Sequence, residues 1–259
     1  MMHRPLGAIH RPRPPSLPHL ARAVPLPVAK PEGTDWLDGV DLTDFSGAPD
    51  PNLTVGCCVE KSMIQIIRVR MWRVAGAAAW APTAAQIVAL YSQLTGYDPS
   101  DPATDQGTDT NAAMAWWTSR GIALGNPAGD IDVPRWSQAS LQETPAAIDM
   151  LGPVRITLNL PAAWENAPVS AWADPPGTGD EWAPGSWGAH SVVAGGQRGG
   201  SLLVESWGET VWVHPLALAR YWLATDVLAS RDWLATDGLA PSGVDWTGLL
   251  GVAAEISSA

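Results

Sequence analysis

The hydrophobic period of this chain changes at Gly152-Pro153, and that change bounds what it can fold into. Upstream, apolar residues recur at three- and four-residue spacing; downstream they alternate. In CVEKSMIQIIRVRMWRV, residues 58–74, Val59, Met63, Ile66, Ile67 and Arg70 keep helical spacing, and Ile64, Met71 and Trp72 widen the stripe. The spacing predicts a largely buried helix that begins at the cysteines. A second helix is expected over about 83–95, with Thr83 as its cap and Ile87, Leu90, Tyr91 and Leu94 on one face. A third runs from Thr110 to Arg120 and stops at Gly121, and a fourth is expected over about 138–151. Beyond Pro153, RITLNLP places Ile156, Leu158 and Leu160 on one face and Arg155, Thr157 and Asn159 on the other, as a strand does. AHSVVAGG, SLLVESWG and ETVWVH read as three short strands with Gly-rich turns, an antiparallel meander. Helices first and an antiparallel sheet second make an α+β protein.

Both ends differ from this body. Residues 1–33 carry eight prolines among the first 31 positions, which bars helix and central strand and predicts an extended arm separate from a domain over 34–259. The last segment, about 215–259, is expected to be helical. WLATD occurs at 222–226 and again at 233–237, 11 residues apart, so a helix would put both copies on one packing face, and 246–256 would close the chain with a short amphipathic helix.

Charge is split along the same line. Residues 1–31 hold Arg4, Arg11, Arg13, Arg22 and Lys30 and no acid, while the rest carries 10 basic and 26 acidic residues. An acidic body argues against nucleic acid as the main partner. The basic arm could touch nucleic acid, an acidic protein surface, other subunits of an assembly including copies of this chain, or its own acidic body. The N-terminus lacks the apolar core of a signal peptide, and no apolar run is long enough to cross a membrane.

The two cysteines, Cys57 and Cys58, are neighbours, a geometry that disfavours a disulfide. A cysteine at a helix N-terminus meets unpaired N–H groups and the positive end of the helix dipole, which favour the thiolate and can hold an oxyanion. Of five histidines, His3, His10 and His19 lie in the arm; His190 starts a strand and His214 precedes Pro215 at a corner. His190 is therefore the expected base and His214 a structural residue. Asp residues at 98–109 have no EF-hand spacing and read as capped turns, so no metal or cofactor is expected. Trp164, Trp172, Trp182 and Trp187 precede His190 in a long loop and would form either a cleft wall or an interface patch.

Gly56-Cys57-Cys58, then Gly188-Ala189-His190-Ser191-Val192, then Glu205-Ser206-Trp207-Gly208 resembles the papain-like cysteine peptidase superfamily, in which a Cys opens the central helix and His and Ser-Trp-Gly strands follow. With Asp105-Gln106-Gly107, Trp116-Trp117 and Gly121-Ile122, the sequence looks most similar to papain-fold proteins of tailed phages of GC-rich actinobacteria, over roughly residues 50–240. The resemblance implies Cys58 as nucleophile, with Cys57 a bystander, His190 as base, and Glu205 at the position of the residue that orients the histidine, usually Asn. Asn52 or Thr54 would assist the oxyanion, since no Gln precedes Cys58, and Ser206 and Trp207 would support the histidine. It implies a peptidase or amidase acting on a peptide or protein, in a virion or a bacterial cytoplasm. The alternative is a non-catalytic virion decoration, connector or minor tail protein on the same fold, engaging other virion proteins through the arm and the Trp-rich loop.

Overall fold

The structure, a computed structural model, describes residues 4–76, 82–122, 134–230, 233–234, 239–245 and 247. In chain order, β1 (Ala8–Ile9), α1 (Leu20–Ala23) and β2 (Thr34–Asp35) belong to the leading segment, followed by the helices α2 (Cys58–Ala75) and α3 (Ala84–Thr95). Then come β3 (Thr108–Asp109), α4 (Thr110–Arg120), β4 (Arg135–Ala139), α5 (Thr144–Leu151) and β5 (Val154–Leu160). The chain continues through β6 (Gly188–Arg198), β7 (Ser201–Ser206), β8 (Glu209–Val213), α6 (Pro215–Tyr221) and β9 (Trp222–Ala229). One sheet has the order β4-β9-β5-β6-β7-β8, with β2 also paired to β6, all antiparallel.

Local chemistry explains the helices. Thr83 and Gln86 form a capping box at the start of α3, which ends at Gly96 in the left-handed region. Asp109 accepts the N–H groups of Asn111 and Ala112 to start α4. Although α2 carries many polar residues, it is buried along most of its length. Its polar side chains reach across to partners: Ser62 Oγ lies 2.8 Å from Ser191 Oγ, Gln65 donates to the Leu42 carbonyl at 2.8 Å, and Arg70 donates to the Leu228 carbonyl. One core lies between α2, α3, α4 and the sheet. The other lies under α5 and α6 and takes in Trp164 and Trp172. Both faces of β5 are therefore inside. Arg155 and Thr157, which alternation alone would turn to solvent, are fully buried, and Arg155 ion-pairs with Asp226 of β9.

Three expectations are corrected. The C-terminal segment is not helical at the first WLATD: after one short helix, α6, Trp222–Ala229 runs as β9 between β4 and β5. Strand pairing on both sides and the Arg155–Asp226 pair outweigh local helical spacing. The fourth helix starts at Thr144 rather than near 138, because Arg135–Ala139 is drawn into the sheet edge against β9. The arm, expected to exclude helix, holds the one-turn α1, whose Leu20 is buried. Most of the second WLATD copy and nearly all of 246–256 lie outside the described residues.

The arm lies on its own body. Arg13 reaches Asp226 at 2.7 Å and Asn111 Oδ1 at 2.5 Å, Asn111 donates back to the Pro12 carbonyl at 2.9 Å, and Arg11 pairs with Asp109 at 2.6 Å. Further along, the Lys30 N–H donates to Asp149 at 2.6 Å.

Candidate active site

Cys58 opens α2 and is buried; Cys57 precedes it at the N-cap, also buried and packed into the helical core. The Cys58 sulfur receives two backbone N–H groups, from Ser191 and from Gly7 of the arm. Ser191 directly follows His190 in β6, so the sheet brings the histidine strand to the helix start. His190 is buried, and its Nε2 shares a 2.8 Å hydrogen bond with Ser206 Oγ. Its Nδ1 is buried with no hydrogen bond among the described residues. Trp207 lies flat against the imidazole, with ring centroids 4.2 Å apart and planes 10° from parallel. Trp187 stacks on the far side of Trp207 at 5.7 Å, and Trp172 meets Trp207 edge-on at 6.0 Å. The Trp-rich loop thus forms the wall behind the histidine, and Trp164 and Trp172 are inside the core rather than on a surface patch.

The orienting role expected of Glu205 falls differently. Its carboxylate accepts from Lys61 Nζ at 2.6 Å and from the Gly208 N–H at 2.8 Å, and the hydrogen bond to His190 comes from Ser206. Side chains alternate along β7, so adjacent residues 205 and 206 face opposite ways and only one can meet the ring. Asn52 is buried six residues before Cys58; its carbonyl accepts from Trp207 Nε1 at 3.1 Å, and its side-chain Oδ1 has no hydrogen bond among the described residues. The Thr54 hydroxyl is turned back to the Pro51 carbonyl at 3.4 Å. His214 caps α6 by accepting the Leu216 N–H at 3.1 Å, a structural role as expected. Among the Asp residues at 98–109, Asp98 and Asp101 close turns and Asp109 caps α4.

The electrostatics run against the helix-dipole expectation. Burial pushes the Cys58 thiol up to about 11, more than its two N–H donors offset. Burial, then the positive charges of Lys61 and Arg4, push His190 well below its usual value. Arg4 belongs to the arm, sits over the Trp207 ring at 4.9 Å and lies 3.5 Å from Glu209. Burial thus disfavours the charged form of both groups.

Sequence reasoning missed the structures that shape this cleft. Asp105 accepts the Gly56 N–H at 2.9 Å and the Tyr91 hydroxyl at 2.6 Å, and Tyr91 Oη accepts the Gly107 N–H at 2.9 Å. Asp105 and Gly107 were visible as a shared segment, with nothing in the sequence to say that they brace Gly56 beside the thiol.

Comparison of the fold decides its class. Xylellain, a cysteine protease from Xylella fastidiosa, superposes with a TM-score of 0.50 at 12% identity, covering 88% of this chain and 96% of that one. The digestive procathepsin L 3 of Tenebrio molitor larval midgut superposes with a TM-score of 0.51 at 13% identity, covering 88% of this chain and 76% of that one. The fold is papain-like. No protein-family model and no curated protein matches the sequence. Among the described residues no helix is long and apolar enough to cross a membrane.

Proposed function

We propose that the protein is a papain-like cysteine hydrolase, a peptidase or amidase, with Cys58 as nucleophile and His190 as base. The observation that carries this reading is the junction of α2 and β6: a helix-leading thiol bonded to the amide next to His190, whose ring is held by Ser206 and Trp207. With its proton on Nε2, His190 donates to Ser206 Oγ and leaves the Nδ1 lone pair free to take the Cys58 proton. The thiolate adds to a substrate carbonyl carbon, and the oxyanion is met by the Cys58 N–H at the head of α2, with the Asn52 amide the side-chain candidate because the Thr54 hydroxyl is engaged. His190 returns its proton to the leaving amine, and water then releases the acyl group from sulfur. A phage virion or a bacterial cytoplasm is the setting that the sequence resemblance supports.

The second reading, a non-catalytic virion component, is favoured by one observation: the arm covers Cys58 and its thiol is pushed up to about 11. The two readings part on alkylation of Cys58. In full-length Arg11→Ala/Arg13→Ala protein, where the arm is loosened, a working pair reacts with iodoacetamide well below pH ~8.5 and loses that reactivity in His190→Ala. Reaction only above that pH, indifferent to His190→Ala, would establish the non-catalytic reading.

A further inference from the structure

A buried arginine joins the two halves of the site from the side of the sheet. Arg155 stands on β5 two places from Thr157, whose cross-strand partner in β6 is Ser191. Its side chain is fully buried and reaches diagonally across that pair. Nη2 donates to Asp226 Oδ2 of β9, and Nη1 donates to Ser191 Oγ at 3.1 Å, with Thr157 Oγ1 at 3.4 Å. Both ends of the chain of bonds that follows fix its direction. A guanidinium can only donate, so Ser191 Oγ accepts from Arg155. The Val59 carbonyl can only accept, so Ser62 Oγ of α2 donates there at 2.7 Å, and Ser191 donates to Ser62 at 2.8 Å. The chain therefore runs from β9 through β5 and β6 into the first turn of α2, and ends on the residue after Cys58. Its middle member, Ser191, is the residue after His190 and gives its own N–H to the Cys58 sulfur.

The charges around the site divide between the two groups. Lys61 and Arg4 bear on His190. On the sulfur, Glu60 disfavours the thiolate and Arg155 favours it. Arg155 itself pairs with Asp226, which also takes Arg13 of the arm, and it bears on Glu60 and on His10. Away from water such a charge is weakly screened, so a buried cation acts on the sulfur more strongly than one at the surface.

We propose that Arg155 is a positioning residue for Cys58: through Ser191 it holds the histidine strand and its amide on the sulfur, and its buried positive charge stabilises the thiolate. The inference rests on the hydrolase reading for its use in turnover, while its effect on the thiol stands apart from His190.

The test reads the pH profile of iodoacetamide alkylation of Cys58 by intact mass. The host is full-length Cys57→Ser/Arg11→Ala/Arg13→Ala protein, in which the arm is loosened and Arg155 is left as the guanidinium on Asp226. Arg155→Gln/Asp226→Asn replaces the ion pair by two amides, keeps a donor for Ser191 and leaves no charge unpaired, so it is expected to fold. Its alkylation rate near pH 7 is expected to fall about threefold or more with the high-pH plateau unchanged, a rise in midpoint of about half a unit or more. Arg155→Lys keeps the charge, and its rate is expected to stay within about twofold of the host. Ser191→Ala cuts the chain with both charges in place, and is expected to raise the midpoint because the amide on the sulfur loses its tether. A merely structural arginine would lower the thermal melt in these variants and leave the midpoint where it was. An unmoved midpoint in the amide pair, a Lys variant shifted as far as that pair, or Ser191→Ala identical to the host overturns the proposal. Ser191→Ala removes one hydroxyl and decides the matter should the amide pair fail to fold. The series is repeated with His190→Ala added, where the Arg155 shift is expected to persist. Failure of the hydrolase reading shows separately, as a host profile that His190→Ala leaves unmoved.

Discussion

Lys61 of α2 and Glu205 of β7 form a buried ion pair, with Nζ 2.6 Å from Oε1, that ties the helix bearing Cys58 to the strand bearing Ser206. Lys61 also lies 2.5 Å from Asp50, and the same Glu205 oxygen holds the Gly208 N–H. Burial alone would lower the Lys61 pKa; Glu205 and Asp50 outweigh it and raise it. The pair fixes the β7–β8 turn, where Trp207 takes a positive φ of 50°, and so sets the plane of the ring that covers His190. Glu205 acts on the site through Trp207.

Removing one partner of such a pair leaves a buried charge unpaired. Lys61→Met is expected to cost about 3–5 kcal/mol in urea unfolding, because two carboxylates lose their cation. Glu205→Gln keeps an acceptor for Lys61 and Gly208 and is expected to cost about 1–2 kcal/mol. Equal costs would mean that charge is irrelevant to the strut.

The two arginines that hold the arm differ in worth. Arg11 is 67% exposed at its Asp109 bridge, whereas Arg13 is 9% exposed and bonded to both Asp226 and Asn111. Exposed bridges contribute about 0.2–1 kcal/mol and are screened by salt; a buried charge-assisted bond contributes about 1.5–3 kcal/mol. Limited proteolysis ahead of Pro14 should therefore accelerate about tenfold or more in Arg13→Ala, and less in Arg11→Ala, whose effect should vanish at about 1 M salt. The reverse ranking would show that the arm is held elsewhere.

Helices α3 and α4 were legible because the period agrees with a boundary residue, Thr83 at the start of α3 and Gly121 at the end of α4, whereas α2, whose N-cap Cys57 makes no side-chain cap, was legible by period alone. Cys58 and His190 were singled out by order along the chain, and the fold sets the start of α2 against the strand that carries His190. β9 was not legible, because Trp222-Leu-Ala-Thr-Asp carries helical spacing and its strand state is set by partners far away in the chain, Arg155 among them. Glu205 misled for a related reason: position along a motif does not say to which face a side chain turns. The arm's docking was hidden altogether, since Gly7 reads as one glycine in a Pro-rich tail until Gly56 and Gly107 are placed beside it.

Glu60 gives the fold a pH dependence of its own. It is fully buried, and burial pushes its carboxyl up to about 7, more than the hydrogen bond from Thr108 Oγ1 at 2.7 Å lowers it. The unfolded value is 4.5. The folded state thus binds a proton that the unfolded state releases, and the stability it brings is full below about pH 4.5 and lost as pH rises to about 7. The swing is on the order of 3 kcal/mol. Glu60→Gln should flatten this part of the pH–stability curve and be more stable than the parent above pH 7. A parallel curve in the variant would assign the dependence to another group.

Ser206 and Glu205 compete for the role of orienting His190, and the geometry gives it to Ser206. A neutral imidazole with its proton on Nε2 needs an acceptor there, and Ser206 Oγ is at 2.8 Å. Without it, the other tautomer, with the proton on Nδ1, loses its disadvantage, and a ring protonated at Nδ1 cannot take the Cys58 proton. In arm-loosened protein, Ser206→Ala should lower the alkylation rate of Cys58 near pH 7 about tenfold or more, and move the profile toward that of a simple thiol. Glu205→Gln should change it less than about threefold, because Glu205 reaches the site only through the turn that carries Trp207. If Glu205→Gln abolished low-pH reactivity while Ser206→Ala left it intact, the carboxylate would have to swing to the histidine when the arm leaves, and Lys61 would have to release it.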